Sequence, residues 1–262
     1  MPDRDPVHTP AKAVPIKAVG IIPARWGATR FPGKLLADLD GMPVIGHVQR
    51  RAGACRSLES LVVATDDTRI ADAVTGLGAR AVMTSADCAS GTDRAAEVAS
   101  TLQCDVVVNI QGDEPLIRPE SIDSLVGAFS DPEVEIATLK THLRSLEELA
   151  SPHVVKVACD RHGDALYFSR FPIPFSRNSN VDMGHGPGLG FKHVGLYAYR
   201  RQTLLRLAQL PPSPLERAEG LEQLRFLEEG YRIKVLYTAE ESVGVDTPED
   251  LEHIKSLSLK ES

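Results

Sequence analysis

The sequence predicts an α/β fold: a largely parallel sheet covered by helices on both faces, joined late in the chain by an antiparallel segment. Three observations carry this prediction. Short apolar runs alternate with helix-length stretches from Ala18 to Lys140, the rhythm of strand–helix–strand units. Leu61-Val-Val-Ala64 and Asp105-Val-Val-Val-Asn-Ile110 are apolar without alternation, as strands covered on both faces are. Residues 154–200 then break the rhythm with strand-like runs that no helix separates. In such a sheet, ligands bind at the carboxyl ends of the strands.

The elements follow in order. Ala18-Val-Gly-Ile-Ile22 is the first strand, and Pro23–Lys34 is the loop after it. Pro43 has the fixed φ that suits a helix start, and that helix runs to about Cys55 before the strand Leu61–Ala64. A helix near Thr68–Leu77 closes at Gly78, followed by the strand Arg80–Thr84, a helix near Asp93–Leu102 and the strand Asp105–Ile110. Pro119 opens another helix, and Glu135–Lys140 returns as a strand. Val154–Cys159 and Ala165–Ser169 flank Arg161-His-Gly-Asp164 as a hairpin, and His193–Arg200 is a later strand. Ser176–Gly190, rich in Gly, Asn and Ser, reads as a loop, either a lid or a surface excursion. One helix is predicted over Pro214–Glu229, a strand over Arg232–Thr238, and a final helix opened by the capping pattern Thr247-Pro-Glu-Asp250. Residues 1–15, charged and Pro-rich without periodicity, read as a disordered extension. Residues 16–262 then form a single domain, with 151–200 as its antiparallel insert.

A chain of 262 residues, 42% hydrophobic and 25% charged, is globular in class rather than disordered or fibrous. Its net charge of −7 argues against nucleic-acid binding, which needs cations clustered along a face. Cys55, Cys88, Cys104 and Cys159 show no C-x-x-C spacing and read as buried, reduced thiols of a cytoplasmic protein. No apolar run reaches membrane-span length and residues 1–15 lack a signal-peptide core, so no membrane association is expected.

Chemistry concentrates on the loops. Pro23–Lys34 carries Arg25, Arg30 and Lys34 with no acid before Asp38, which suits a polyanion such as a nucleoside triphosphate, and Gly27 and Gly33 allow close backbone approach. Asn109-Ile-Gln-Gly-Asp-Glu-Pro115 places Gln111, Asp113 and Glu114 at the end of the most apolar strand. With Asp246 in Gly244-Val-Asp-Thr-Pro248, Asp113 suits Mg2+, which takes one or two carboxylates plus phosphate and water. Alone, Asp113 reads equally as a turn residue and Asp246 as part of a helix N-terminus. Ser90-Gly-Thr-Asp-Arg94 is either a nucleotide-facing turn or an ordinary N-cap, and Thr65 and Asp66 are open to the same two readings. His193 and Tyr197, four apart on a strand, share a face. Glu219 and Gln223, placed at i,i+4 on one helix with Glu216 a turn earlier, are candidates for binding a polyol or a solvated acidic face.

Eight of these segments, in this order, resemble the 3-deoxy-manno-octulosonate (Kdo) cytidylyltransferase family: Pro23-Ala-Arg through Phe31-Pro-Gly-Lys34, Ala64-Thr-Asp66, Ser90–Arg94, Asn109–Pro115, Tyr167-Phe-Ser-Arg170, His193-Val-Gly-Leu-Tyr197, Leu221-Glu-Gln-Leu-Arg225 and Gly244–Asp250. The resemblance implies a nucleotide-diphospho-sugar transferase fold with a Rossmann-like sheet, an obligate Mg2+ and a homodimer built through the antiparallel insert. It implies that Arg25 and Lys34 hold the CTP phosphates, with Ala24, Thr65, Ser90 and Gly91 around the nucleotide and Asp113 and Asp246 on the metal. Arg94, Gln111, His193, Tyr197, Glu219 and Gln223 would surround the sugar acid. The implied reaction is CTP plus Kdo to CMP-Kdo and pyrophosphate, for lipopolysaccharide. The sugar's anomeric hydroxyl would attack the α-phosphorus in line, activated by the metal rather than by a side-chain base, since no His stands beside Asp113. Cytidylyltransfer to another acidic sugar, a sialic acid or 8-amino-Kdo, stays open at this stage. A catalytically silent sugar-nucleotide sensor would have no use for both aspartates and Lys34. A dehydrogenase is disfavoured, because the first strand–loop unit lacks G-x-G-x-x-G.

Overall fold

The apolar runs form the parallel half of one sheet. In a computed structural model of the chain, which describes residues 16–27, 31–175, 177, 190–239 and 243–258, strand β1 (Ala18–Ala24) precedes a short hairpin, β2 (Asp38–Leu39) and β3 (Met42–Pro43). Then come α1 (Val44–Ala52), β4 (Leu58–Thr65), α2 (Thr68–Gly76), β5 (Ala81–Met83), α3 (Gly91–Ser100) and β6 (Val106–Asn109). β6 pairs with β1, β1 with β4 and β4 with β5, all parallel. Every residue of β6 is buried, as its unbroken apolarity requires.

The second half contains α4 (Pro119–Ala128), β7 (Ile136–His142), α5 (Leu146–Ala150), β8 (Lys156–Cys159), β9 (Ala165–Ser169) and β10 (Phe191–Arg200). It ends with α6 (Arg201–Leu207), α7 (Pro214–Glu219), α8 (Gln223–Glu228), β11 (Ile233–Tyr237) and α9 (Pro248–Ser258). Among the described residues the main path of the sheet runs β11-β7-β10-β6-β1-β4-β5. β7 and β11 are parallel, whereas β10 runs antiparallel between β6 and β7. The segment 151–200 is therefore antiparallel as predicted, but it is woven into the sheet rather than appended. The β8–β9 hairpin pairs with the start of β10, while the rest of β10 is a central strand.

Period-2 alternation divides the core between two layers. Ile22 of β1 joins α1, α2 and α4 on one face, and Ile21 joins α3, α6 and α8 on the other. A third, small cluster joins Leu39, Val44 and Val245 to Leu251 and Ile254 of α9.

The helix predicted over Pro214–Glu229 is two helices. Gly220 adopts φ 62° at the end of α7, a left-handed stop that favours glycine, and α8 starts again at Gln223. The β2–β3 hairpin was not predicted, although Leu39-Asp-Gly-Met42 carries its signature. Asp40 and Gly41 both have positive φ, 52° and 82°, as a two-residue hairpin turn requires. Residues 1–15, Arg30 and nearly all of the Ser176–Gly190 loop lie outside the described residues. The four cysteines are half-buried rather than fully buried. Burial and the neighbouring Glu97 carboxylate push the Cys88 thiol up to about 11, leaving it a poor nucleophile. No helix among the described residues is long and apolar enough to cross a membrane.

Candidate active site

Two adjoining cavities open where the loops after β1 and β6 meet. The larger, about 470 Å³, is lined by Ala24, Arg25 and Lys34 from the first loop, Cys88 to Gly91 and Arg94 around the start of α3, and Gln111 to Asp113 and Asp246. Backbone hydrogen bonding fixes this meeting of loops: the Val245 N–H donates to the Asp113 carbonyl at 2.8 Å. Asp250 accepts from the N–H groups of Asp246 and Thr247 at 3.0 and 2.8 Å, which holds Asp246 at the entrance to α9. Gly112 is needed for close packing, because a Cβ there would lie 3.1 Å from the Pro23 carbonyl oxygen.

At the floor of this cavity the Lys34 ammonium donates to Asp113 Oδ2 at 2.5 Å and to Asp246 Oδ1 at 2.8 Å. Burial works against the charged amine, but the two carboxylates hold its pKa above the ordinary lysine range. Two hard oxygen donors from distant loops thus converge on one cation, as a Mg2+ site with phosphate and water for its other ligands would require. The described residues hold no group of three or more His, Cys, Asp or Glu suited to a metal, so the protein alone supplies an incomplete shell. Lys34 follows Gly33, whose φ of 72° and contact with the Trp26 ring leave no room for a side chain. Arg69, bonded to Asp67 at 2.6 and 2.9 Å, stacks over that ring at 3.4 Å. The basic loop is braced from both sides.

Ser90 caps α3 in a reciprocal box with Asp93, and Gly91 opens the helix with backbone N–H groups toward the cavity end, an arrangement suited to anions. Arg94 is 3% exposed and donates to Asp66 at 2.9 Å and to Thr84. Thr65 is wholly buried and does not line the cavity; its hydroxyl accepts from the Asp67 N–H at 3.2 Å.

The smaller cavity, about 230 Å³, is lined by Asn109, Gln111, His193, Tyr197, Glu222 and Gln223, among others. Gln111 borders both cavities and donates to the Gly195 carbonyl at 3.3 Å. His193 Nε2 lies 2.9 Å from the Thr138 hydroxyl, and that hydroxyl lies 2.9 Å from the Leu196 carbonyl, to which it can donate. Burial pushes His193 down to about 3, leaving it neutral and a weak base. Tyr197 packs beside it, its ring 5.2 Å away.

Glu219 does not share this pocket. The break at Gly220 separates it from Gln223, and its carboxylate accepts from the Ser169 hydroxyl at 2.7 Å and the Arg170 N–H at 2.8 Å, bracing α7 against β9. The acid that does line it is Glu222, which accepts from Thr92 and, at 3.0 Å, from Arg225. Burial raises its carboxyl pKa, against the Thr92 and Ser90 hydrogen bonds and the Arg225 charge. Glu222 stands inside Leu221-Glu-Gln-Leu-Arg225, whereas Glu219, the acid expected there from the sequence, lies outside this cavity.

Comparison with known proteins agrees with this architecture. A family model described as cytidylyltransferase matches residues 19–234. The 3-deoxy-manno-octulosonate cytidylyltransferase of Geobacter sulfurreducens is 53% identical over 240 residues, covering 89% of this chain and 96% of that protein. Its counterpart in Solibacter usitatus is 52% identical, covering 93% and 95%. A solved structure of CMP:2-keto-3-deoxy-manno-octonic acid synthetase complexed with CTP superposes with a TM-score of 0.88 at 45% identity, over 94% of this chain and 100% of that one. A 4-diphosphocytidyl-2C-methyl-D-erythritol synthase from Anaerococcus prevotii, 13% identical with a TM-score of 0.61 over 93% and 96% of the two chains, shares the fold.

Proposed function

Because this chain belongs to the 3-deoxy-manno-octulosonate cytidylyltransferase family, we propose that it transfers CMP from CTP to the anomeric hydroxyl of Kdo, giving CMP-Kdo and pyrophosphate for lipopolysaccharide synthesis. The convergence of Asp113 and Asp246 on a single cation, at 2.5 and 2.8 Å from Lys34 Nζ, is the observation that carries this reading. A binding protein has no need to concentrate such charge at one end of a phosphate-sized cavity.

The triphosphate lies in the larger cavity, with Arg25 and Lys34 against its phosphates and the N-terminus of α3 at Ser90 and Gly91 beside it. Ala24 lets the nucleotide approach the end of β1, and Thr65 supports that wall from behind. Asp113 and Asp246 hold Mg2+, whose charge, when bound, offsets charge on the reacting phosphate and favours the ionised hydroxyl. The chain's own part is to orient: Gln111 borders both cavities, and so stands where the sugar hydroxyl meets the α-phosphorus. His193, half-buried and neutral, positions the sugar acid with Tyr197 and Gln223 rather than removing its proton, and Arg94 supports the junction through Asp66. The protein works in the cytoplasm, where CTP is available. It forms a homodimer through the antiparallel segment, a reading supported by the exposed Leu166, Phe171 and Phe175 on its surface.

Pyrophosphate release from CTP and Mg2+ with Kdo, 8-amino-Kdo or a sialic acid tests the reaction. Kdo is expected to turn over fastest; equal or faster turnover of a sialic acid refutes the assignment of the sugar. Sedimentation of the purified chain tests the dimer.

A further inference from the structure

We propose that Asn109 determines sugar specificity by accepting a hydrogen bond from one hydroxyl of the sugar acid; the inference rests on reading the smaller cavity as the sugar half of the site. Asn109 is the last residue of β6 and 3% exposed, and its Oδ1 has no donor among the described residues. A buried carbonyl without a donor is rare, because the lost hydration goes uncompensated.

Several donors near it are committed elsewhere. Gln111 donates to Gly195, and Thr138 to Leu196. Thr92 and Arg225 both donate to Glu222. Tyr197 is the register partner of Asn109 on β10, so the two side chains stand side by side on one face of the sheet. Its hydroxyl stands beside Thr138, whose side chain acts on it, and has no other partner among the described residues. Two polar side chains with closed-off end atoms therefore line the same cavity, one offering an acceptor and one able to donate or accept.

Chemistry narrows the occupant. Among the described residues no Lys or Arg lines this cavity, so it offers a carboxylate no countercharge, whereas Asn109 and Glu222 offer acceptors to hydroxyls. Arg25, Lys34 and Arg94 line the larger cavity. The polyhydroxyl tail of the sugar acid thus enters the smaller cavity, and its carboxylate stays toward the larger one. A site with a buried acceptor rejects the analogue lacking the matching hydroxyl far more strongly than an apolar pocket rejects a missing methylene.

Asn109→Leu, with the same branched four-heavy-atom outline and without the acceptor, tests this. In the ligand-free protein it is expected to melt at or above the wild-type temperature; a fall of more than about 5 °C shows that Oδ1 was bonded within the fold and overturns the inference. With CTP and Kdo, the KM for Kdo is expected to rise at least about tenfold while that for CTP stays within about threefold. Among Kdo analogues each lacking one hydroxyl, the wild type should disfavour one by at least about tenfold, and Asn109→Leu should accept that analogue and Kdo alike. Asn109→Asp, which keeps an acceptor oxygen, should retain the preference. A Kdo KM unchanged in Asn109→Leu, or a preference that survives it, overturns the proposal while leaving the cytidylyltransferase reading standing. Absence of pyrophosphate release from the wild type with every sugar acid instead overturns that reading itself.

Discussion

Replacing Lys34 with Met removes the cation that joins Asp113 to Asp246 and keeps a side chain of similar length. Lys34 is 13% exposed; its partners are 29% exposed for Asp113 and 53% for Asp246. The first pair is intermediate between an exposed ion pair and a buried one, so losing it costs about 2 kcal/mol. The second, with its carboxylate more than half in water, contributes about 0.5 kcal/mol. The two carboxylate oxygens, each bonded to the same nitrogen, then face each other across no more than 2.5 + 2.8 = 5.3 Å, adding about 0.5 to 1 kcal/mol of screened repulsion. The total of about 3 kcal/mol corresponds to a melting temperature lower by roughly 6 to 12 °C in a chain of this size.

Thermal melts in a chelating buffer, without nucleotide, measure this loss. Titration with Mn2+ then tests what the carboxylates do when Lys34 no longer occupies them. A divalent cation that binds only the folded state restores stability by mass action, about 2.7 kcal/mol at a hundred times its dissociation constant. The variant is expected to recover most of its lost stability while the wild type responds weakly. Turnover should nevertheless remain far below wild type, because in the proposed reaction Lys34 also serves the phosphates. A variant that melts within about 2 °C of wild type and shows no greater response to Mn2+ refutes the reasoning on both counts.

Asp246→Asn should leave stability nearly unchanged, since the side chain is half in water, yet lower turnover at saturating substrates by about a hundredfold or more; near-normal turnover at ordinary Mg2+ would remove Asp246 from the metal site. Gly112→Ala would press a methyl against the Pro23 carbonyl at 3.1 Å and Ile45 at 3.3 Å, so calorimetry should show a loss of about 1 to 3 kcal/mol, and a wild-type melting curve would contradict the close packing. His193, held at about 3 when folded against about 6.5 unfolded, contributes stability that is complete above the unfolded value and lost as pH falls toward the folded one, about 2 kcal/mol by pH 5. His193→Gln should therefore lose less stability than wild type between pH 7 and pH 5, and equal losses would mean that the imidazole is not buried neutral.

The parallel half of the fold was legible because its strands are buried on both faces and its helices carry local stops. Val106-Val-Val-Asn109 has no competing reading, and Gly78 closes α2 as placed. β10 was legible as a strand but not as a central one, because its neighbours β6 and β7 are chosen by packing across the sheet and not by anything within Phe191–Arg200. Glu219 and Glu222 show the same boundary within the site. Three residues apart in sequence, they part company when Gly220 turns left-handed, and only the fold sends Glu222 to the cavity and Glu219 to Ser169. Asn109 was quoted in a motif yet given no role, since an unpartnered acceptor is a property of surroundings that no spacing rule contains.

Lys34, Asp113 and Asp246, expected together from the sequence, meet in the structure although they come from three separate loops. The reason is mechanical. Lys34 and Asp113 follow adjacent parallel strands, β1 and β6, whose carboxyl ends lie on the same edge of the sheet. Asp246 reaches them through its neighbour, Val245, which is wholly buried with Leu39 and Val44 in the small cluster under α9 while its N–H bonds the Asp113 carbonyl. The position of the second carboxylate is thus set by apolar packing, the Val245–Asp113 backbone bond and the Asp250 cap, independently of the cation its side chain holds. Lys34 holds the two acids together at this edge of the sheet; in the proposed reaction the phosphates would draw the ammonium away and leave both carboxylates to hold the metal.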